Sequence, residues 1–314
     1  MRFLETIDRD AIADLLGSDE YFWLDLTDPG PDDAAALGEI FGFHPLVLED
    51  LLKRRQRPKL EDFGDYMFLV YYGVADGRGG AVDEVELEEV HAFLSGGYIV
   101  TAHQRPYEVL AEARQSLSSQ APRSEQFVIY RVLDGLTDTF FPYLDRIDER
   151  MESLDDEIFE RPLPAQLEEI TALRRDLVSL RRVVTPQRDL LARSIDDILE
   201  IPGLEADSRN YFRDVYDHAI RISDQIDSYR DLLAGSRDAY LSVVSNRLNQ
   251  ITKQLTVVAT IFLPLSFVVG FFGQNFAWLV RNIDSPAAFW GLGIGSLVVS
   301  VVGLLLWFRR GSYL

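Results

Sequence analysis

The residues of this chain best suited to chemistry fall on one repeating step. Counting by sevens from Asp238 picks out Ser245, Thr252, Ala259, Ser266 and Gly273, and the positions four further on are Ser242, Asn249, Thr256, Leu263 and Gly270. Nearly all are small or polar. The adjacent row, Leu248, Ile251, Leu255, Val258, Phe262, Leu265 and Val269, is large and apolar. A seven-residue step keeps one helix face toward one axis over many turns. A stripe of this composition either lines a water-filled path or lets two helices approach closely. Asp238 and Asn249 favour the path, because a dry seam would bury them at roughly several kcal/mol each if unpaired.

Other chemistries find little support. The histidines, at 44, 91, 103 and 218, share no ligand spacing, so no structural zinc site is expected, and zero cysteines exclude disulfides and thiolate metal sites. The run Gly77-Arg78-Gly79-Gly80 lacks the Lys-Ser/Thr of a phosphate loop, and no nucleophile motif is present. The expectation is a protein that is not an enzyme and binds no nucleotide. Formal charge is −20, and residues 246–314 hold five Lys/Arg against one Asp/Glu, leaving 26 against 50 in residues 1–245. That balance excludes a nucleic-acid footprint and argues against docking on anionic lipid. An acidic surface concentrates cations, and it also simply keeps a protein soluble. The same two readings apply to Asp145–Glu160, with eight acids and two arginines.

The elements that must carry the stripe are long and apolar. Gln254–Val280 has no formal charge, with its most apolar part at Leu255–Phe272, and Ala287–Phe308 has none over 22 residues. A bilayer core of about 30 Å needs roughly 20 helical residues, so both runs are long enough to span. Arg247 and Lys253 precede the first and Arg309-Arg310 close the second, which places both termini in the cytoplasm. The first 30 residues lack the apolar core of a signal peptide. Upstream, short strand-like runs (Tyr21–Leu26, Tyr66–Val74, Val85–Phe93, Tyr98–Ala102) alternate with helix-like ones to about residue 122. After that come helices at Gln126–Glu160, ended by Arg161-Pro162-Leu163-Pro164, and at about Ala165–Leu199. A third starts near Glu205 and meets no proline until Pro264, so it should run unbroken into the first span as a rod of about 100 Å. Two spans per chain cannot enclose a conduit. If one lines the axis, around four to six copies must form a ring.

Several motifs point to a family. The run Tyr211-Phe212-Arg213-Asp214-Val215-Tyr216-Asp217-His218, then Ala239-Tyr240-Leu241-Ser242 and Asn249, resembles the CorA-type magnesium and cobalt transporters. So do Ala259-Thr260-Ile261-Phe262-Leu263-Pro264-Leu265-Ser266-Phe267 with Gly273-x-Asn275, and, upstream, His44-Pro45-Leu46, Leu48-Glu49-Asp50 and Gln56-Arg57-Pro58-Lys59.

The resemblance implies an α+β membrane protein that forms a funnel-shaped homopentamer in the plasma (inner) membrane. Its parts would be an α/β/α cytoplasmic domain at 1–122 and a long-helix stalk at 123–254. A pore-lining span at 255–272, a periplasmic loop at 273–286, a second span at 287–308 and a cytoplasmic tail at 309–314 would follow. Gly273 and Asn275 match the ends of the family's Gly-Met-Asn motif, where five copies would face a hydrated ion. Gln274 stands in place of methionine and leaves the choice among Mg²⁺, Co²⁺, Ni²⁺ and Zn²⁺ open. Asp238 matches the pore acid and Asn249 the pore asparagine, while Thr252, Leu255 and Leu263 sit near where the family narrows. Asp214 matches an acid of a regulatory inter-subunit metal site, with Asp76 as a candidate partner from the neighbour. The implied function is divalent-cation uptake down the electrochemical gradient, gated by intracellular divalent cation. The alternatives are a proton-coupled zinc transporter of the ZntB-like branch and a non-conducting, membrane-anchored metal sensor.

Overall fold

A computed structural model describes residues 1–18, 20–53, 55–75, 85–119, 125–199, 209–274, 277–282 and 285–310. They divide into two compact units, Met1–Arg237 and Asp238–Leu314.

The first unit is built on six strands: β1 (Arg2–Leu4), β2 (Phe22–Thr27), β3 (Lys59–Asp62), β4 (Met67–Val74), β5 (Leu87–Leu94) and β6 (Tyr98–His103). Their order is β1-β2-β6-β5-β4-β3. β1, β2 and β6 are parallel, with Leu24 opposite Val100, and the remaining pairs are antiparallel. Helices α1 (Arg9–Leu16), α2 (Pro31–Phe41) and α3 (Pro45–Leu52) connect strands, and α4 (Glu108–Ser119) follows β6. β4 and β6 are buried along their whole length, as strands covered on both faces must be. Alternation sorts the side chains between the faces. Trp23, Leu69, Tyr71, Val90, Ala92 and Ile99 join the core that also holds Leu110, Val132, Leu191, Phe212 and Val215. On the other face Phe22, Phe43, Phe68 and Phe93 form an aromatic layer, with Phe43 stacked on Phe93 at 4.0 Å between centroids.

Three further helices complete the unit: α5 (Glu125–Asp138), α6 (Phe140–Glu160) and α7 (Pro164–Leu199). Periodicity alone predicts one continuous helix across the first two; the structure breaks it at Thr139. The Thr139 hydroxyl donates to the Leu136 carbonyl and accepts from the backbone N–H of Val74, so it competes with the helix ladder and fastens the junction to β4. Tyr71 and Thr137 share a hydroxyl bond nearby, and the Tyr107 hydroxyl donates to the Val74 carbonyl. Beyond Val70, the last β4 residue paired with β3, the buried amide of Gln187 on α7 takes over. Its Oε1 accepts from the Tyr72 N–H at 3.0 Å and its Nε2 donates to the Tyr72 carbonyl at 3.3 Å.

Helix α8 runs Arg209–Phe272, 64 residues, with Pro264 inside it. The later segments are α9 (Ala277–Asn282), α10 (Pro286–Ala288), a π-helical turn at Phe289–Ile294 and α11 (Gly295–Arg310). Two helices, α8 and the stretch Pro286–Arg310, are long and apolar enough to cross a membrane, and none of either apolar window is buried.

Candidate functional site

Every residue of the heptad stripe that lies on α8 is exposed in the single chain: Asp238, Ser242, Ser245, Asn249, Thr252, Thr256, Ala259, Leu263, Ser266 and Gly270. The apolar row beside them is exposed too except at Leu265, with Leu255 at 68% and Phe262 at 63%. A continuous apolar face of this extent requires lipid or other helices against it. The polar side chains are already oriented. The Thr256 hydroxyl donates to the Thr252 carbonyl and that of Thr260 to the Thr256 carbonyl, each at 2.8 Å. With its hydrogen committed to the helix, such an oxygen turns lone pairs outward, which suits a cation or its hydration water. Pro264 has no N–H, so the Thr260 carbonyl lacks its usual donor one turn on and is a further acceptor at this level.

At the end of α8 the Gly273 N–H donates to the Val269 carbonyl at 2.9 Å, and the Gln274 N–H closes a tighter turn onto Phe271 at 3.3 Å. A Cβ on Gly273 would sit 3.0 Å from the Val269 oxygen, so the close approach favours glycine. Gln274 is exposed. Asn275 and Asp76 lie outside the described residues.

A second constellation sits in the first unit. Asp134 and Asp138, one turn apart on α5, meet His218 of α8, and their ligand atoms all lie within 4.8 Å of one another. His218 Nδ1 is 2.9 Å from Asp138 Oδ1 and 4.0 Å from Asp134 Oδ1. Asp134 is buried, and burial followed by repulsion from Asp138 raises its carboxyl above the ordinary value of 3.8. Tyr130, one turn before Asp134, is pushed up to about 12 by burial, by Asp134 and by the charge of Asp214. Asp214 is exposed, lies one helical turn before His218 and therefore faces the same region. Asp134 and Asp138 also line a cavity of about 730 Å³ with Glu108, Glu112, Arg131 and Arg146. Two carboxylates and an imidazole fit a divalent cation: the oxygens suit Mg²⁺, and the nitrogen adds affinity for Co²⁺, Ni²⁺ or Zn²⁺.

Sequence reasoning reached Asp214 and missed this trio. The Asp134/Asp138 spacing of four was available as a signal, but His218 stands 80 residues away in sequence from Asp138 and only the fold unites them.

Comparison with known proteins agrees with this architecture. The cobalt/magnesium transport protein CorA of Thermotoga maritima is 32% identical, the match covering 100% of this chain and 89% of that protein. The zinc transport protein ZntB of Yersinia enterocolitica is 26% identical over 98% of this chain and 92% of its own. The structure of the CorA magnesium transporter from Methanocaldococcus jannaschii has the same fold, with a TM-score of 0.80, 24% identity and coverage of 93% and 91%. The model of the CorA-like Mg²⁺ transporter proteins matches residues 18–310, nearly the whole chain, and the chain belongs to that family.

Proposed function

We propose that this chain forms a homopentamer in the plasma (inner) membrane, both termini cytoplasmic, and conducts divalent cations down their electrochemical gradient. Mg²⁺ is the first cargo, with Co²⁺ or Ni²⁺ carried as well. The observation that carries this reading is the stripe on α8, polar and small from Asp238 to Gly270 and continuous through an apolar helix. Five copies placed around an axis would turn their hydroxyl and amide oxygens inward and their apolar rows toward lipid and neighbouring helices. Oxygens that bind a cation's waters suit Mg²⁺, which gives up its hydration shell reluctantly. The driving force is electrical, about 2.3 kcal/mol per charge per 100 mV. Gly273, Gln274 and Asn275 would ring the outer mouth.

Gating would use the acids of the first unit. Asp214, with Asp134, Asp138 and His218 beside it, would hold a divalent cation shared with a neighbouring subunit, Asp76 being the candidate partner. A cation that binds better when the subunits are close favours the closed ring, and the acids repel one another when it leaves.

The test is flux of purified protein into liposomes loaded with a Mg²⁺-sensitive dye, at an imposed inside-negative potential. A dye signal that follows the potential is expected. No signal above protein-free vesicles would point to the non-conducting sensor. The ZntB relative favours a second reading, proton-coupled zinc transport. Zinc flux accompanied by a pH change in the vesicle lumen, without Mg²⁺ flux, would select it.

A further inference from the structure

The carboxyl ends of the three parallel strands open onto a cavity of about 660 Å³ that neither the stripe nor the metal cluster uses. In sheets of this kind that edge is where function tends to gather. His103, the last residue of β6, lies there and is 4% exposed. Its Nε2 is 3.1 Å from Asp25 Oδ1, and its Nδ1 is 2.5 Å from the Arg105 carbonyl. Both partners are acceptors. A carbonyl carries no proton, and the Asp25 carboxylate already receives the Thr101 hydroxyl at 2.5 Å and the Arg114 guanidinium at 2.9 Å. A neutral imidazole has one N–H and would leave a lone pair facing an oxygen, so imidazolium alone satisfies both contacts.

The surroundings support a positive ring. Facing it are Asp25 on β2, Glu88 on β5 with Glu86 just before it, and Arg114 on α4. Arg105 lies in the β6–α4 turn, Glu108 follows that turn, and Glu5 follows β1. A smaller cavity on its other side is lined by Asp28, Lys53, Glu89 and His91. Burial opposes the charge, but Asp25, the Arg105 carbonyl and Glu88 outweigh it, so the titration lies above the ordinary 6.5.

We propose that His103 is a proton-sensing site, which as imidazolium latches the turn between β6 and α4 to the sheet and on losing its proton releases that turn. The remaining proton stays on Nε2, held by the Asp25 charge, and the bare Nδ1 then repels the Arg105 carbonyl. Glu88 accepts from the N–H groups of Gln104 and Arg105, and these bonds weaken as the turn moves off the ring, while the β5–β6 pairing stays. The turn therefore loosens without the strands separating. It carries Arg105 to Glu86 and leads to Tyr107, whose hydroxyl holds the end of β4, so the loosening reaches the junction of α5 and α6.

The experiment is hydrogen–deuterium exchange at the histidine C2 position, read by mass spectrometry on the full chain in lipid nanodiscs across a pH series. His103 is expected to titrate above 6.5, and Asp25→Asn to lower that value by about 1 unit or more, the scale of losing a charge at this distance. Amide exchange in residues 104–107, corrected for intrinsic rates, should rise as pH passes the His103 titration and lose that step in His103→Gln. Titration of wild-type His103 at or below 6.5 overturns the proposal, and so does an unchanged value in Asp25→Asn. If Asp25→Asn does not fold, the wild-type titration decides alone.

Discussion

Asp134 opposes folding of the group it forms with Asp138 and His218 when no cation is bound. Its carboxyl is raised by burial and then by Asp138, so the folded chain holds this proton more tightly than the unfolded one. The associated stability is present below 3.8 and is lost as pH rises through the higher folded value. At neutral pH the ionised group opposes folding until a cation or a neutral side chain relieves it. Asp134→Asn should therefore melt above wild type in chelator, by about 2–4 °C if the relief is about 1 kcal/mol. It should also lose most of the thermal shift that Co²⁺ or Mg²⁺ gives wild type. An Asp134→Asn protein that responds to Co²⁺ like wild type would remove Asp134 from the site. Asp214→Ala tests the gating role separately. Uptake at high internal Mg²⁺ should rise several-fold, since about 1–3 kcal/mol of coupling per site is lost, and Mg²⁺ should protect the protein less against protease. Unchanged inhibition by internal Mg²⁺ would move gating elsewhere. Asp214 was a candidate from the sequence because it sits in a recognisable run. The Asp134–Asp138–His218 group was not, because α5 and α8 bring it together from distant sequence.

Among the elements, β4 is tied most firmly to the helices beside it. Gly73 makes the closest contact: a Cβ there would lie 2.2 Å from the Tyr107 hydroxyl oxygen and 2.9 Å from Thr139 Oγ1. Both hydroxyls are held in place by bonds to Val74. Gly73→Ala is expected to destabilise the first unit by about 1–3 kcal/mol, the usual range for overpacking, read as a lowered melting temperature. A melting temperature equal to wild type would show that the α5–α6 junction yields freely. Such ties explain what the sequence concealed. Apolar periodicity runs through Thr139, and the Val74 amide that breaks the helix is 65 residues away. Four of the six strands were readable from alternation and turn residues; β1 and β3, of three and four residues, are too short to show it. Strand order was not, because β6 inserts between β2 and β5. The seven-residue step was readable because it is a property of sequence alone, and α8 carries its positions from Asp238 to Gly270.

Conduction along the α8 stripe requires several copies of this chain around one axis. Cross-linking or native mass measurement of the detergent-solubilised protein should give five times 35.7 kDa. A stable monomer or dimer that still conducts would refute the ring. The central claim, that the α8 stripe lines a water-filled ion path, has a more direct test because the chain contains no cysteine. Single cysteines can be placed at Ser245, Thr252 and Ser266 on the stripe, and at Leu248, Val258 and Phe262 on the apolar row. Each variant is then treated in liposomes with a charged, water-soluble thiol reagent while Mg²⁺ flux is recorded. Modification is expected to block flux at least ten-fold (about 1.4 kcal/mol) at the three stripe positions and to leave flux intact at the other three. Unblocked flux at Ser245, Thr252 and Ser266, or equal block on both rows, would contradict it.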